Sequence, residues 1–318
     1  EAELKTLFET NEHPIAYDGF EPSGLAAIHF GLLRTKNLRK MLSTGIKFKL
    51  YIADYFAMIN NKFGGDLEKI KYAGRYLDDF SYWDRYIRIG RLFSVDRVKR
   101  AITIMGRKEG ENISASQLFY PIMQATDIFQ MDIDICQLGI DQRKASIIAR
   151  EAAEKLNLKI PIIVSHPLLI GLKGMPQNLK SASEEELINY KMSKSDPKNA
   201  IFVHDSYAQI KEKINSAYCP EKITDGNPVF EYLEKLIIED KSSSITLSRP
   251  EKFGGAIEFE DYSKLVSMYK EGKVHPADVK NFVAEELEKQ IKPIREHFEK
   301  NAEARKLYEE VKGYTITR

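Results

Sequence analysis

Lys47-Phe-Lys-Leu-Tyr-Ile-Ala-Asp54 is the stretch on which the fold turns. It is rich in β-formers and closes on an aspartate, which predicts a strand with a polar group at its carboxyl end. The helix-length pattern over residues 66–80 then reads as the crossover that follows it. Working outward, Ile133-Asp-Ile-Cys-Gln-Leu-Gly139 predicts a second strand with a helix over 141–156 behind it, and Ile160-Pro-Ile-Ile-Val164 predicts a third. Strands that alternate with helices imply a parallel sheet covered on both faces, with ligands at the carboxyl ends of the strands. Beyond Ile201-Phe-Val203 the pattern turns helical: Asp205 is placed to cap a helix running to Ala217, and others are expected over 232–238, 262–270 and 277–290. The expected architecture is α/β, a Rossmann-like doubly wound parallel sheet in a catalytic domain over residues 1–203, followed by an all-α domain over 204–318.

Composition narrows the class. With 318 residues, 43% of them hydrophobic and 30% charged, and no apolar run approaching a membrane span, the chain reads as a soluble protein of two domains. It opens at Glu1 without a methionine and already reads as helix through Phe8, so the natural N-terminus is expected to be missing. Cys136 and Cys219 have neither the number nor the spacing for a disulfide framework or a zinc site, which fits a reducing cytosol and a cytoplasmic protein. A net charge of +1 supplies no long-range attraction for nucleic acid, so any such partner must be met by local basic patches.

Two segments carry phosphate chemistry. Lys191-Met-Ser-Lys-Ser195 sets two ammonium groups and two hydroxyls on a loop that follows the Gly-, Pro-, Ser- and Lys-rich tract 171–186, where they can meet charge developing on a leaving group. A solvated Lys/Ser loop is the plain alternative. Gly19-Phe-Glu-Pro-Ser-Gly24 leads into Ile28-His-Phe-Gly31, a small-residue turn that opens a helix with His29 in its first turn. Such a helix start favours phosphate, and glycine lets the backbone approach a nucleotide. Taken alone, His29 is more often a packed histidine.

In this order and separation the two segments resemble the HIGH and KMSKS signatures of class I aminoacyl-tRNA synthetases, the second of them letter for letter. The resemblance widens to the tyrosyl-tRNA synthetases of the archaeal and eukaryotic type through Ala16-Tyr-Asp-Gly-Phe-Glu-Pro-Ser-Gly24, Phe119-Tyr-Pro-Ile-Met-Gln-Ala-Thr-Asp127, Asp141-Gln-Arg-Lys144, Arg249-Pro-Glu-Lys-Phe-Gly-Gly255 and His275-Pro-Ala-Asp278. It implies a tyrosine–tRNA ligase acting with ATP, tRNA and L-tyrosine, with Mg²⁺ accompanying ATP, no tightly bound cofactor, no protein-held metal and a homodimer. A phenol hydroxyl both donates and accepts, and Asp127 with Tyr17 match the residues that read it. Tyr120, Gln124 and Gln142 match the positions that hold the ammonium group. Spacings of four and three place Tyr120, Gln124 and Asp127 on one helix face, and an unpartnered buried Asp127 would be a poor core residue.

The same resemblance assigns His29, Lys191 and Lys194 to the phosphates, and Gly19, Gly31, Asp141, Met192, Ser193 and Ser195 to the nucleotide side. Arg100, within the basic segment 96–108, and Arg143 match positions that read the first base pair of the acceptor stem; a solvated amphipathic helix is the alternative for the segment. Phe253, His275 and Asp278 match anticodon readers, an aromatic for stacking and a carboxylate for a guanine edge.

Two departures stand out. Leu32 occupies the usual second His of HIGH, and an alternative alignment puts Ala27 at the first His and leaves His29 third. A parallel sheet also needs a strand after each crossover helix, yet no convincing strand lies between Asp54 and Met131. The family carries a strand and its loops here, so a segment is expected to be missing between Phe80 and Ser81, with their Cα atoms much farther apart than the usual ~3.8 Å.

Overall fold

The computed structural model describes residues 1–59, 77–102, 114–176, 186, 188–194 and 196–314. Most of the helix expected over 66–80, part of the tract 171–186, Arg107, Lys108 and Ser195 lie outside the described residues. The chain forms two compact units. One comprises Glu1–Ser23 and Asn37–Pro167 with the chain end; the other comprises Gly24–Lys36 and Leu168–Gly313.

The first unit is built on four parallel strands, β1 (Ile15–Phe20), β2 (Lys47–Ile52), β3 (Ile135–Gly139) and β4 (Ile162–His166), in the order β2-β1-β3-β4. The strand expected over 47–54 is β2, and those expected near 133 and 160 are β3 and β4, each starting two residues later. β1 is a strand where the sequence pointed only to a motif and a turn. It pairs with β2 through Ile15↔Lys47 to Phe20↔Ile52 and with β3 through Ala16↔Ile135 and Tyr17↔Cys136. A central strand has both faces covered and shows no polar alternation, and Asp18 and Gly19 blur the apolar signal further.

Residues on opposite sides of β1 feed opposite cores. Ala16 and Ile135 pack with Ile46, Leu4, Leu7 and Met41, whereas Tyr17, Cys136 and Leu138 pack with Ile89, Ile122, Ile128 and Ile148. Helices therefore cover both faces, the doubly wound arrangement. The strand order reverses between β1 and β3, and the crevice at their carboxyl ends is where such sheets bind ligands.

β2 is an edge strand among the described residues, and its Leu50 and Ile52 are exposed. No strand occurs between it and β3 among the described residues. Phe80 and Ser81, between which a segment was expected to be missing, lie in the helix Phe80–Gly90, where Asp79 caps the start by accepting from Ser81 N at 2.8 Å. The helix thus begins where the preceding one was expected to end.

The second unit opens on a short antiparallel contact between Ala27 and Phe202, with Ile28 N donating to Ile201 O at 2.9 Å and Val203 N to Ala26 O at 3.0 Å. This pairing gathers residues 24–36 with the helical part, so compactness divides the chain after Pro167 where the helical pattern alone set a boundary near 203. The helix Tyr207–Ser216 packs on the long helix Pro276–Lys300, which packs on Ala302–Lys312. Ser206, not Asp205, caps Tyr207–Ser216, because the Ser206 hydroxyl and Gln209 form a reciprocal capping box. Asp205 instead accepts from Phe202 N and pairs with Lys213 at 2.6 Å. A small hairpin of β5 (Ile245–Leu247) and β6 (Ile257–Phe259) interrupts the helices.

Candidate active site

In the first unit, Tyr17 projects from β1 while Tyr120, Gln124 and Asp127 share one side of the helix Tyr120–Gln130. All four are buried, Asp127 to 3% exposure. Among the described residues, Tyr17 Oη, Gln124 Oε1 and Asp127 Oδ2 are buried without a hydrogen-bond partner. An unsatisfied buried polar atom costs on the order of 1–3 kcal/mol, and these three, brought together around Tyr17, fit a ligand that supplies the partners. Asp127 and Tyr17 are near enough for the carboxylate to push the phenol's pKa upward, after burial, the largest cause, and Cys136. The Tyr17 proton is therefore retained, and its hydroxyl is available as a donor.

Asp127 is poised differently. Burial raises its pKa to about 7; the hydroxyls of Tyr82 and then Tyr51 pull it down, and the Asp54 charge pushes it up. Tyr82 Oη donates to Asp127 Oδ1 at 2.9 Å. Tyr120 has its phenol raised by burial and by the charges of Glu21 and Asp141, and its ring meets Phe56 edge-on at 4.3 Å. Asp141 and Gln142 lie in the turn Ile140–Gln142 that leaves β3, and Glu21 follows β1. The anionic groups beside Tyr120 suit a cationic substrate group.

Tyr82, Tyr51, Asp54 and Glu21 were not singled out by the sequence. Tyr82, Tyr86 and Ile89 recur at helical spacing, which could have predicted a buried face, but periodicity does not say which hydroxyl meets Asp127. Gly19 lies on β1, where an added Cβ would make only ordinary contacts with the Tyr17 and Tyr51 rings.

The second unit holds the cationic loop and His29. Lys191 is bridged to Ile170, with Met192 N donating to Leu169 O at 2.7 Å and Gly171 N to Tyr190 O at 2.9 Å, so one end of the loop is fixed by backbone pairing. Lys194 Nζ rests 4.6 Å from the centre of the Phe30 ring, and Arg34 rests 4.5 Å from it. Phe30 in turn meets the half-buried His29 edge-on at 5.5 Å. His29 and Lys194 thus both approach the Phe30 ring, while Ala27 is fully buried in its backbone bridge. Gly31 is fixed by packing: a Cβ there would come within 2.4 Å of Val203 Cγ1. Met192 is buried and Ser193 half-buried.

The nucleic-acid candidates are distributed. Arg100 is exposed near the end of the helix Val95–Ala101, and Arg143 is exposed at the start of Arg143–Leu156. Arg97 of the same basic segment is committed to Glu151 at 2.8 Å. In the second unit, Phe253 is exposed, His275 caps the long helix by accepting from Ala277 N, and Asp278 in its first turn lies 3.9 Å from Arg249. Arg249 also donates to Gly255 O at 2.6 Å, which ties the Phe253 turn to the helix start carrying the other two.

The family model for class I tRNA synthetases (W and Y) matches residues 9–87 and 65–292. The chain is 39% identical over 344 residues to tyrosine–tRNA ligase 1, cytoplasmic, of Arabidopsis thaliana, covering 100% of this chain and 86% of that one. It is also 39% identical over 340 residues to the tyrosine–tRNA ligase of Sulfurisphaera tokodaii, covering 98% of this chain and 93% of the other. Among solved structures it resembles the tyrosyl-tRNA synthetase of Pyrococcus horikoshii complexed with L-tyrosine, with a TM-score of 0.89 and 36% identity over 97% of this chain and 94% of that one. The Arabidopsis alignment is longer than the chain's 318 residues, so that relative carries residues absent here. The two family matches overlap at 65–87.

Proposed function

The chain belongs to the class I tRNA synthetases of the tryptophan and tyrosine group, and on that premise we propose that it is a tyrosine–tRNA ligase whose substrate pocket is the one around Asp127. The observation that carries this reading is the trio of unpartnered buried atoms. Asp127 Oδ2 can accept from a phenol, Tyr17 Oη can donate to the same oxygen, and Gln124 Oε1 can accept from an ammonium group. Tryptophan, the family's other substrate, offers only an indole donor and would leave the Tyr17 hydroxyl without an acceptor.

The reaction runs in two steps. A carboxylate oxygen of tyrosine attacks the α-phosphorus of ATP and pyrophosphate leaves. A hydroxyl of the terminal tRNA ribose then attacks the adenylate carbonyl, and AMP leaves. Neither step needs a protein nucleophile, so positioning and charge stabilisation carry the catalysis. Tyr120, Gln124 and Gln142 hold the ammonium group; Gly19 and Asp141 line the nucleotide side. Lys191, Lys194 and His29 take the phosphates, and Gly31, Met192, Ser193 and Ser195 are assigned to the nucleotide as well. Mg²⁺ enters as part of the nucleotide substrate, whose phosphates supply its oxygen ligands.

Arg100 and Arg143 are assigned to the acceptor stem, and Phe253, His275 and Asp278 to the anticodon. Residues 1–203 then carry out activation and hold the acceptor stem, and residues 204–318 read the anticodon. A homodimer in the cytoplasm completes the proposal; no helix among the described residues is long and apolar enough to cross a membrane. Tyrosine-dependent exchange of pyrophosphate into ATP tests it. Exchange with tyrosine, and not with tryptophan or phenylalanine, is the expected result; exchange driven by tryptophan, or by none of the three, overturns the reading.

A further inference from the structure

Asp127 has two oxygens with different fates. Oδ1 is already engaged by the Tyr82 hydroxyl at 2.9 Å, and Oδ2 has no partner among the described residues. Tyr82 is itself fully buried in the helix Phe80–Gly90. We propose that Tyr82 is a specificity-determining positioning residue: by donating to Oδ1 it fixes the carboxyl group of Asp127 and leaves Oδ2 to face the substrate phenol as an acceptor. This inference rests on the tyrosine pocket assigned above.

The physical case follows from what surrounds the carboxyl group. From β1 it faces Tyr17, from β2 Tyr51, from the helix Asp54–Ile59 the charge of Asp54, from Phe80–Gly90 Tyr82, and along its own helix Tyr120 and Gln124. Among the described residues these neighbours include no cation, and the groups that favour ionisation are hydroxyl donors. Burial and the Asp54 charge favour the protonated acid, while Tyr82 and then Tyr51 favour the carboxylate, and the balance leaves the pKa at about 7. Tyr82 is a dependable donor because burial and the Asp127 charge hold its own pKa far above the ordinary phenol value. A hydrogen bond to the charged form stabilises that form, so its loss must raise the acid's pKa.

The consequence for selectivity is direct. An ionised Asp127 welcomes a phenol and repels a bare phenyl ring, which would strand a buried charge. A protonated Asp127 tolerates both. Tyr82 thus governs rejection of phenylalanine without touching the substrate.

The test is Tyr82→Phe, which keeps the ring and removes the donor, read by pyrophosphate exchange with tyrosine and phenylalanine across pH 6–9. Because kcat/KM reports the free enzyme, the wild type should lose tyrosine kcat/KM below about pH 7, and the variant's acid limb should move up by roughly one to two pH units. At pH 7 the variant's tyrosine kcat/KM then falls about tenfold while that for phenylalanine does not fall, and the KM for ATP is unchanged. An acid limb and a selectivity ratio identical to the wild type would overturn the proposal.

In the Asp127→Asn background, Tyr82→Phe should cost nothing further in tyrosine kcat/KM; an undiminished effect would show that Tyr82 acts elsewhere. Should Tyr82→Phe fail to fold, 3,5-difluorotyrosine placed at position 82 keeps the shape with a more acidic donor and should move the limb down. A limb that stays put overturns the proposal equally. Failure of the pocket assignment looks different, because the wild type itself would then show no tyrosine-dependent exchange.

Discussion

Asp127 and Lys194 are the strongest charges proposed for the two substrates, and the molecule treats them in opposite ways. The carboxylate is buried among hydroxyl donors that fix its orientation, and its pKa is displaced toward neutrality. The ammonium group is only half-buried and rests on the Phe30 ring, a partner that a phosphate oxygen replaces at little cost. Recognition of a single hydroxyl needs a buried group with one unfilled position, since selectivity comes from the penalty of leaving it unfilled. Stabilising a polyphosphate whose charge shifts during reaction needs a cation that changes partners as the reaction proceeds. One region should therefore fail in selectivity, the other in rate.

The sharpest way to break the comparison is Asp127→Ala. It should abolish discrimination between tyrosine and phenylalanine, a ratio of about 10⁵ that is the established figure for tyrosyl-tRNA synthetases as a class and is borrowed from them. Exchange kinetics with both amino acids measure it, and a variant that rejects phenylalanine as strongly as the parent would falsify the pocket assignment.

Stability against pH probes the same residue without substrate. A folded pKa of about 7 against an unfolded value of about 3.9 means that the wild type binds more protons folded than unfolded between those limits. The contribution of Asp127 is then fully present below about pH 4 and is lost as pH rises through 7. Asp127→Asn has no such dependence, so from pH 4 to pH 8 the wild type should lose stability relative to the variant, by an amount on the order of 4 kcal/mol. Urea unfolding at several pH values gives the difference, and a gap that stays constant with pH contradicts the raised pKa.

Lys194→Ala sharpens the comparison from the other side. It should slow adenylate formation by about 10² to 10³ with little change in tyrosine binding, because its partner is charge that develops on the leaving pyrophosphate. Single-turnover kinetics separate the two quantities. A defect confined to the tyrosine KM would move Lys194 out of the phosphate site.

These two regions also differ in how far the sequence disclosed them. The cationic loop is legible because its chemistry is contiguous: Lys191, Met192, Ser193 and Lys194 follow one another, and backbone pairing to Leu169 and Ile170 only fixes what the letters already state. The pocket is half legible. Tyr120, Gln124 and Asp127 are joined by helical spacing, but their neighbours arrive from β1, from β2 and from the helix Phe80–Gly90, and no local pattern encodes that meeting. Tyr82 is the clearest case, 45 residues from the carboxylate that it serves. The sheet is legible in β2, a run of β-formers closing on Asp54, and in its flanking helices, while β1, covered on both faces, carries no alternation to read. The cap at Ser206 was missed for a plainer reason: Asp205 and Ser206 are both good caps, and tertiary contacts with Phe202 and Lys213 draw the aspartate away.

The smallest expected effect lies far in sequence from both sites, at the turn that carries Phe253. The turn ends on Gly254 and Gly255, both at positive φ, and Arg249 clamps it by donating to Gly255 O at 2.6 Å. That conformation leaves the Phe253 ring 62% exposed, with Lys252 Nζ 4.9 Å from its centre. An exposed aromatic held by a rigid turn and flanked by a cation is suited to stacking on an unpaired base, and such stacking is worth about 1–3 kcal/mol. Phe253→Ala should accordingly lower kcat/KM for tRNA aminoacylation roughly tenfold. Because that contact is made only with RNA, tyrosine-dependent exchange should be unchanged, which sets this variant apart from those at Asp127 and Lys194. Equal losses in both assays would mean that the ring supports the fold instead. A full aminoacylation rate would remove Phe253 from the RNA surface.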